Sequence, residues 1–356
     1  MAKSILYIKS SSLADVRINK FYNFFKSKDE YIVNFWGWDR YNKNVGNNDA
    51  NVQYIFNGIF INLLVSYCIF MILLFFRMLF VKRGTYKNII CINFETALPI
   101  YLVSKIRGDK FIYEIYDEFS KSYSFPNWLK CWLEKIDLKI IDRADYVIHV
   151  DENRIIGPEK NKSIIIENTP FDYWNGQERE YINIKHKFAI VGFFSDARGM
   201  EQIYEFAKSN FSIQFLLAGR FTNELMKNSF LQLPNIEFHD FMPQKQLFKL
   251  MEDCCAIFSL YNPSLEINKY AASNKVYDAM MMGFPVITKE YVINSQYIMT
   301  MGCGMVVNYK YDSSWSQFEK ETFVQQAVVM GRKGRKLYLD KYRFEYLVST
   351  KLLPIL

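Results

Sequence analysis

Residues 271–288 read AASNKVYDAMMMGFPVIT, and this stretch is the most informative about the fold. Ser273 and Asn274 stand where the N-cap of a helix belongs, and Lys275 opens the helix. Gly283 ends the helix, and the apolar run that follows it is typical of a short buried strand. A helix that passes through a glycine into a buried strand is one step of a βαβ unit, from which parallel sheets are built.

The same alternation extends along the whole chain. In the second half, strand patterns occur at 187–192, 213–219, 235–238, 256–260 and 284–288, with helical patterns at 199–208, 244–252 and 275–282. In the first half, strand patterns occur at 3–9, 30–36, 88–94, 111–116, 146–150 and 163–167, with helical patterns at 14–26, 98–107 and 126–143. Because strands and helices alternate, we predict an α/β protein with parallel sheets covered by helices.

The length favours two domains, since 356 residues exceed what one hydrophobic core usually holds. We predict an N-terminal Rossmann-like domain at 1–170 and a second Rossmann-like domain at 181–332, with a polar linker between them. The two domains are expected to face a cleft, where ligands of open α/β sheets bind. A basic C-terminal helix in 333–356 either exposes a solvated charged face or packs on the first domain or a membrane. Its basic residues are Lys333, Arg335, Lys336, Lys341 and Arg343, preceded by Arg332.

Composition excludes several classes of protein. Half of the residues are hydrophobic and 17% are aromatic, which excludes a disordered chain. The net charge of +7 suits an anionic partner but is too small to indicate nucleic acid. The six cysteines form no CxxC pair, so we expect free, mostly buried thiols in a reducing compartment. The N-terminus carries no signal-peptide pattern, and the three widely spaced histidines argue against a metal site built on histidine.

One segment departs from the alternation. Residues 59–76 (IFINLLVSYCIFMILLFF) carry no charge, and Arg77, Lys82, Arg83 and Lys87 follow. The length qualifies as a membrane span, but strands of one predicted sheet lie on both sides of it in the chain. Two interpretations remain: a helix buried against the sheet, or a monotopic helix half-sunk in a membrane with a basic flank.

Two segments predict a phosphate site. A helix that begins near Lys275 presents free N–H groups and a partial positive charge, which favours a diphosphate. Asp278 lies one turn after Asn274 and can accept hydrogen bonds from a ribose. In residues 191–200 (VGFFSDARGM), a strand ends near Gly192 and a polar loop leads to Arg198, which can clamp a phosphate. An ordinary capped helix and an exposed arginine fit the same patterns.

These segments resemble the donor domain of GT-B-fold glycosyltransferases of family 4, which are common in bacterial surface-polysaccharide synthesis. The resemblance rests on Gly192 with Arg198-Gly199, a strand ending in Gly219, the strand and loop at 235–241, and 261–263 followed by 274–287. In the first half it is weaker and covers 15–17, 113–118 and 144–150. It implies that a UDP- or GDP-linked sugar binds without a cofactor. The donor-binding residues it implies are Gly192, Arg198, Gly219, Ser273, Asn274, Lys275 and Asp278.

The chain departs from the family pattern at three places. Many members carry two glutamates separated by seven residues; Asp278 stands at the second position and Tyr270 at the first. Phe193 replaces a common basic residue, and Tyr116 stands where a histidine is frequent after the fourth strand. The departures leave retention or inversion of configuration open, with a slight preference for retention. Sugar specificity is expected in residues 263–272.

Candidate catalytic residues follow a strand pattern in the first half. Asp117 and Glu118 can take a proton from an acceptor hydroxyl, although Asp117 as a helix N-cap fits equally. We expect Ser11, Arg17 and Tyr116 to line the acceptor side. His149 is expected to be a core residue.

Together these patterns predict a metal-independent glycosyltransferase, acting on a polyprenyl-diphosphate-linked acceptor for capsule, O-antigen or exopolysaccharide. Its expected location is the cytoplasm, peripheral or monotopic on the inner face of the cytoplasmic membrane, through a helix at 59–81. The alternatives are a nucleotide-sugar epimerase of the same fold and an inactive membrane-bound relative.

Overall fold

The computed structural model describes residues 2–41, 49–123, 125–155, 161–265, 268 and 273–356. Contacts divide the chain into two compact units. The first unit runs up to Glu167 and also contains Val348–Leu356, and the second unit is Asn168–Leu347. Each unit is an α/β structure built on a parallel sheet, which confirms the predicted fold class.

The described strands of the first unit form one seven-stranded sheet. In chain order they are β1 (Lys3–Lys9), β2 (Tyr31–Asp39), β3 (Val52–Asn57), β4 (Asn88–Ile92), β5 (Ile112–Ile115), β6 (Tyr146–His149) and β7 (Ser163–Ile165). Their order in the sheet is β3-β2-β1-β4-β5-β6-β7, and every pair is parallel. Central strands such as β1 and β4 are buried on both faces, which explains their continuous apolar sequences.

Helices connect these strands. They are α1 (Val16–Lys26), α2 (Leu63–Phe80), α3 (Phe94–Arg107), α4 (Phe119–Ser122) and α5 (Asn127–Arg143). The edge strand β3 is absent from the sequence prediction, because its six residues are only partly buried and carry no continuous apolar run. The strand at 112–115, which ends before Tyr116, is therefore the fifth strand and not the fourth.

Helix α2 begins at Leu63, four residues later than the apolar run, because the Asn62 side chain caps it by accepting a hydrogen bond from the Val65 amide. At its other end, the Arg107 guanidinium donates to the carbonyls of Met78, Leu79 and Val81. Both ends of the helix are therefore satisfied within the first unit.

One face of α2 packs on the unit and the other is exposed. The buried residues are Ser66, Tyr67, Phe70, Leu74 and Met78, and they make up 28% of the helix. The exposed face carries Ile72, Phe76 and Phe80, of which Phe80 is 81% exposed. By length and composition α2 qualifies to cross a membrane. However, β3 before it and β4 after it belong to the same sheet, so both of its ends lie on one side of any bilayer.

The described strands of the second unit form a six-stranded parallel sheet. They are β8 (Lys187–Phe194), β9 (Gln214–Phe221), β10 (Ile236–His239), β11 (Ala256–Phe258), β12 (Val286–Lys289) and β13 (Gly304–Val307), in the order β10-β9-β8-β11-β12-β13. The helices are α6 (Met200–Ser209), α7 (Glu224–Leu231), α8 (Gln244–Leu250), α9 (Asn274–Met282), α10 (Ile293–Met301), α11 (Thr322–Leu337) and α12 (Phe344–Leu347).

The basic C-terminal segment differs from its prediction. Instead of one helix from 333, α11 starts at Thr322 and continues through a π-helical turn at Tyr338–Tyr342. Lys333, Lys336 and Lys341 are exposed, as a solvated charged face requires. Arg335 is fully buried instead, and its Nη1 lies 2.7 Å from the Asp172 carboxylate. This buried ion pair joins α11 to the start of the second unit.

The six cysteines are free, and four of them are buried, as predicted; Cys68 and Cys131 are exposed.

Candidate functional site

The carboxyl edge of the second sheet brings two glycines together. Gly192 on β8 pairs with Gly219 on β9, and a Cβ added to Gly219 would lie 1.9 Å from the Gly192 carbonyl oxygen. Gly219 therefore has to be glycine. Gly192 has φ of 103°, and the Lys275 ammonium lies over it, 3.6 Å from where a Cβ would stand. At that distance a Cβ would only touch the lysine, so it is the positive φ that favours glycine at position 192.

Arg198 lies in the turn that follows β8. Its guanidinium stacks on the Tyr261 ring, with 4.1 Å between Cζ and the ring centroid. Its Nη1 atom is buried and has no hydrogen-bond partner among the described residues. The next residue, Gly199, has φ of 69°, and a Cβ there would come within 2.7 Å of Leu260. The turn is thus fixed by packing, while one donor of Arg198 stays available to a ligand.

Helix α9 begins as predicted, with Ser273 as its N-cap residue. The Ser273 hydroxyl makes no capping bond and instead pairs with the Ser259 hydroxyl at 2.8 Å. The helix N-terminus therefore keeps its partial positive charge beside Lys275, which is half-buried, and Asn274, which is exposed. Asp278 follows one turn later, and Gln244 Nε2 lies 3.4 Å from its Oδ1.

A small cavity, open to solvent, lies at the ends of β8 and β11. Arg198 and Lys275 both line it, so the two segments predicted to bind phosphate meet at one place. Phe193, at the position where the family often has a basic residue, also lines it and is 64% exposed. Ser259 and Tyr261 complete its polar wall. The arrangement offers two cations, a helix N-terminus and aromatic rings, which suits a nucleoside diphosphate.

Most of the predicted specificity segment 263–272 lies outside the described residues, and so does Tyr270. Within the described ranges, no group of three or more His, Cys, Asp or Glu side chains is arranged to hold a metal ion.

In the first unit, the predicted residues occupy different environments. Asp117 is the more open carboxylate, with its side chain 69% exposed and Oδ1 3.4 Å from Arg154 Nη1. Glu118 is the N-cap residue of α4, one position later than predicted, and contacts Lys121 at 2.8 Å. Ser11 is half-buried, and its hydroxyl lies 3.4 Å from the Ser12 carbonyl.

Arg17 does not line an open surface, contrary to its predicted position. It is 4% exposed, and its guanidinium donates to Glu114 and to the Ile166 carbonyl, each at 2.8 Å from Nη2. Tyr116 lies beneath Lys9, whose ammonium is 4.1 Å from the ring centroid. Arg17 therefore belongs to a buried polar network, in which Glu114 matches its charge, and the Tyr116 ring lies against it, 5.3 Å from the guanidinium carbon.

A second polar cluster at the carboxyl edge of the first sheet has no counterpart in the sequence analysis. We call it the Glu95 cluster, and its members are Ser10, Arg40, Tyr67, Glu95 and Tyr123. The Ser10 hydroxyl donates to Glu95, and Arg40 Nη2 donates to the Ser10 carbonyl at 2.7 Å and to Tyr67 Oη at 2.6 Å. The Tyr123 hydroxyl donates to Tyr67 at 3.1 Å. Burial raises the pKa of Glu95, against the hydrogen bond from Ser10.

The backbone at the entrance to α3 supports this cluster. Asn93 has φ of 64° and ψ of 166°, a backbone conformation that residues other than glycine rarely adopt. Its Oδ1 accepts a hydrogen bond from the Tyr116 amide at 2.8 Å. The turn after β4 is thereby tied to the turn after β5, which carries Asp117. No short sequence pattern predicts this link, since the partners are more than twenty residues apart.

The two parallel sheets, one in each unit, and the solved structures that share them define the class: the chain has the GT-B fold. The lipopolysaccharide outer core galactosyltransferase WaaB, in its apo form, is 12% identical with a TM-score of 0.66, covering 99% of this chain and 100% of that one. HepE from Anabaena, solved in complex with UDP and glucose, is 13% identical with a TM-score of 0.69, covering 98% and 97%.

The same fold also carries other chemistry. A protein assigned as a UDP-N-acetylglucosamine 2-epimerase from Listeria monocytogenes is 8% identical with a TM-score of 0.60, covering 98% of this chain and 94% of that one. No protein-family model matches the chain, and no curated protein does either. At these identities the likeness establishes the fold, and the choice of reaction has to come from the residues.

Proposed function

We propose that this protein is a metal-independent glycosyltransferase of the family 4 type. It transfers a sugar from a UDP- or GDP-linked donor to a lipid-linked saccharide in bacterial surface-polysaccharide synthesis. The observation that carries the proposal is the cavity in the second unit, where Arg198 has an unsatisfied buried donor and Lys275 stands at a helix N-terminus. HepE, which shares the fold, has been solved in complex with UDP and glucose.

Each proposed donor-binding residue contacts the part of the donor that suits its chemistry. Arg198 and Lys275 bind the diphosphate and stabilise its charge as it departs, a role that a metal ion fills in other enzymes. Gly192 and Gly219 keep the space above the strand ends open. Asp278 accepts hydrogen bonds from the ribose, while the exposed ring of Phe193 offers a stacking surface for the nucleobase.

In the transfer step, an acceptor hydroxyl oxygen forms a bond to the anomeric carbon while the bond from that carbon to the diphosphate breaks. In an inverting reaction the hydroxyl proton passes to a carboxylate, and Asp117 is the exposed candidate in the first unit. In a retaining reaction the hydroxyl proton passes to the departing diphosphate, and Asp117 orients the acceptor instead. Ser11 and the Glu95 cluster are proposed to contact the acceptor from the same edge of the sheet.

The exposed face of α2 supports a membrane-linked acceptor. Helix α3 packs on α2 and exposes Ile106, and α5 packs on α3 and exposes Trp128 and Trp132. Lys82, Arg83 and Lys87 follow α2 and are exposed. Apolar side chains with indole rings and a basic flank suit the interface of a bilayer that contains anionic lipids. We therefore propose attachment to the inner face of the cytoplasmic membrane, where polyprenyl-diphosphate-linked saccharides reside.

Tyr67 links this helix to the proposed acceptor residues. It lies on the buried face of α2, and its hydroxyl belongs to the Glu95 cluster. A lipid-linked saccharide held at α2 would therefore have its sugar close to the carboxyl edge of the first sheet. An epimerase of soluble nucleotide sugars has no need of such a helix, which favours transfer over epimerisation.

Transfer of radiolabelled sugar tests the proposal. The purified chain is mixed with UDP- and GDP-linked sugars and with membranes that contain polyprenyl-linked saccharides, in the presence of EDTA. We expect label to enter the lipid-extractable fraction. Conversion of the donor into its epimer without labelled lipid would indicate the epimerase. Donor binding without turnover of any kind would indicate an inactive relative.

A further inference from the structure

Lys289, the last residue of β12, is buried, and it forms no ion pair with any of the described residues. Its side chain has no solvent exposure, and Nζ has no hydrogen-bond partner among the described residues. Its described neighbour is the ring of Tyr309, 4.4 Å from Nζ. Burial lowers the pKa of Lys289 to about 8. A buried ammonium with three unused donors is unfavourable in the folded chain alone, so the arrangement calls for a ligand.

The position of Lys289 relates it to the donor cavity. The Tyr309 hydroxyl donates to the Asp196 carbonyl at 3.1 Å, and Asp196 opens the turn that carries Arg198. Strand β12 also pairs with β11, which is followed by Ser259 in the wall of the cavity. Because all strands of the sheet are parallel, the ends of β8, β11 and β12 meet at one edge.

The segment after Lys289 has a second unsatisfied group. Helix α10 begins four residues later, and its first turn holds Asn294, whose Nδ2 is buried without a partner in the described structure. The turn between them contains Tyr291 with φ of 61°, a conformation rare for an aromatic residue. A strand end, a tight turn and a helix N-terminus with a buried cation and an amide donor together make an anion-binding arrangement.

We propose that Lys289 and Asn294 bind a negatively charged oxygen of the donor, beyond the contacts of Arg198 and Lys275. Two donor groups have this chemistry: the outer phosphate of the diphosphate, and the carboxylate of a uronic-acid sugar. The assignment rests on the proposed donor site, since it places a third cation at the same sheet edge. It makes Lys289 a residue that determines either diphosphate affinity or sugar specificity.

Calorimetry on the full chain tests the assignment with UMP, UDP, UDP-glucose and UDP-glucuronate, and in parallel with GMP, GDP and GDP-mannose. Lys289→Met keeps the apolar stem and removes the charge. The matched control is Lys208→Met, an exposed lysine at the end of α6, which leads to the opposite edge of the same sheet. Asn294→Leu provides a second variant that removes the amide donor.

If Lys289 binds the outer phosphate, Lys289→Met lowers the affinity for the diphosphates and their sugar conjugates at least about tenfold and leaves the affinity for the monophosphates unchanged. If it binds a sugar carboxylate, the loss of that size is confined to UDP-glucuronate. Equal binding of every nucleotide by wild type and Lys289→Met would overturn the assignment while leaving the donor site intact. Absence of nucleotide binding by the wild-type chain would overturn the donor site itself, and the assignment with it.

Discussion

Single residues decide what fits at the carboxyl edge of the second sheet. A methyl group at position 219 would collide with the Gly192 carbonyl, and Gly192 has a positive φ with the Lys275 ammonium beside it. Ser273 turns its hydroxyl to Ser259 and so leaves the N-terminus of α9 without a side-chain cap. The close pairing of β8 and β9 thus requires Gly219, while Lys275 and the uncapped helix N-terminus lie beside the end of β8.

The burial of His149 predicts that the first unit loses stability as the pH falls. It is 2% exposed and neither ring nitrogen has a hydrogen-bond partner among the described residues, which confirms its expected place in the core. Burial lowers the pKa of His149 to about 4, with Arg154 adding to the effect. Because the folded pKa lies below the unfolded one, the neutral ring is favoured by folding. This contribution is complete above pH 6.5 and is lost as the pH falls towards 4.

Urea unfolding at several pH values between 7.5 and 4 tests this expectation. Between those limits the wild-type chain should lose up to roughly 3 kcal/mol more unfolding free energy than His149→Leu. Carboxylate titration is common to both chains and cancels in the difference. Parallel pH dependence of the two chains would contradict the prediction.

The roles of individual residues were the hardest part of the site to predict from the sequence. Arg198 and Lys275 could be predicted because each follows a local pattern of strand, turn and helix. The buried ion pair of Arg17 could not be predicted, because its partner Glu114 lies 97 residues away and nothing near Arg17 in the sequence indicates it. Glu95 and Lys289 were missed for the same reason: their burial depends on strands that meet only in the folded sheet.

Among the helices, α2 combines an apolar sequence with an exposed face. Apart from a weakly polar stripe with Ser66 and Arg77 its faces are apolar, yet only 28% of the helix is buried, and the face with Ile72 and Phe76 is exposed. The sequence left open whether lipid or protein covers this helix. Packing accounts for one face, and a bilayer is our proposal for the other.

Phe76→Glu is expected to release the protein from anionic vesicles. Phe76 is half exposed on the face that we propose to insert, so the change removes apolar contact and adds a charge that opposes insertion. Co-sedimentation with phosphatidylglycerol vesicles should show a partition coefficient at least about 30-fold lower than wild type. Leu225→Glu, an equally drastic change at an exposed residue of α7, is the control and should bind as wild type.

The vesicle experiment also has a clear negative result. If Phe76→Glu and Leu225→Glu sediment alike, α2 does not mediate membrane binding, and its exposed face has another partner. Neutral phosphatidylcholine vesicles separate the two contributions, because the basic residues after α2 act only on anionic lipid. Circular dichroism of each variant establishes that the chain is folded.

Elements with continuous apolar runs were predictable, whereas two of the four edge strands, β3 and β13, were not. Strands β1 and β4 are buried on both faces, so their sequences indicate strands without ambiguity. Strand β3 lies at the edge of its sheet and β13 is only four residues long and half-buried, and both were missed. The first part of α11 was missed as well, because its buried face includes two glycines and an arginine in place of a regular apolar stripe.

For the whole molecule, the order of strands and helices was enough to predict two parallel sheets in two units. The sheet orders agree with that prediction, and structures such as WaaB and HepE share the GT-B fold over nearly the full chain. Activity does not follow from this likeness at 12% or 13% identity. The central claim is therefore the donor site, which depends on this chain's own residues.

Calorimetric binding of UDP, GDP, ADP and their common sugar conjugates, with and without EDTA, tests that claim most directly. Wild type, Lys275→Ala and the control Lys208→Ala are compared. We predict that one nucleotide series binds equally well with EDTA, and that Lys275→Ala alone weakens binding by roughly 1–3 kcal/mol, because a charge-assisted contact to the diphosphate is lost. Absence of nucleotide binding, or equal affinity of Lys275→Ala and wild type, would contradict the donor site.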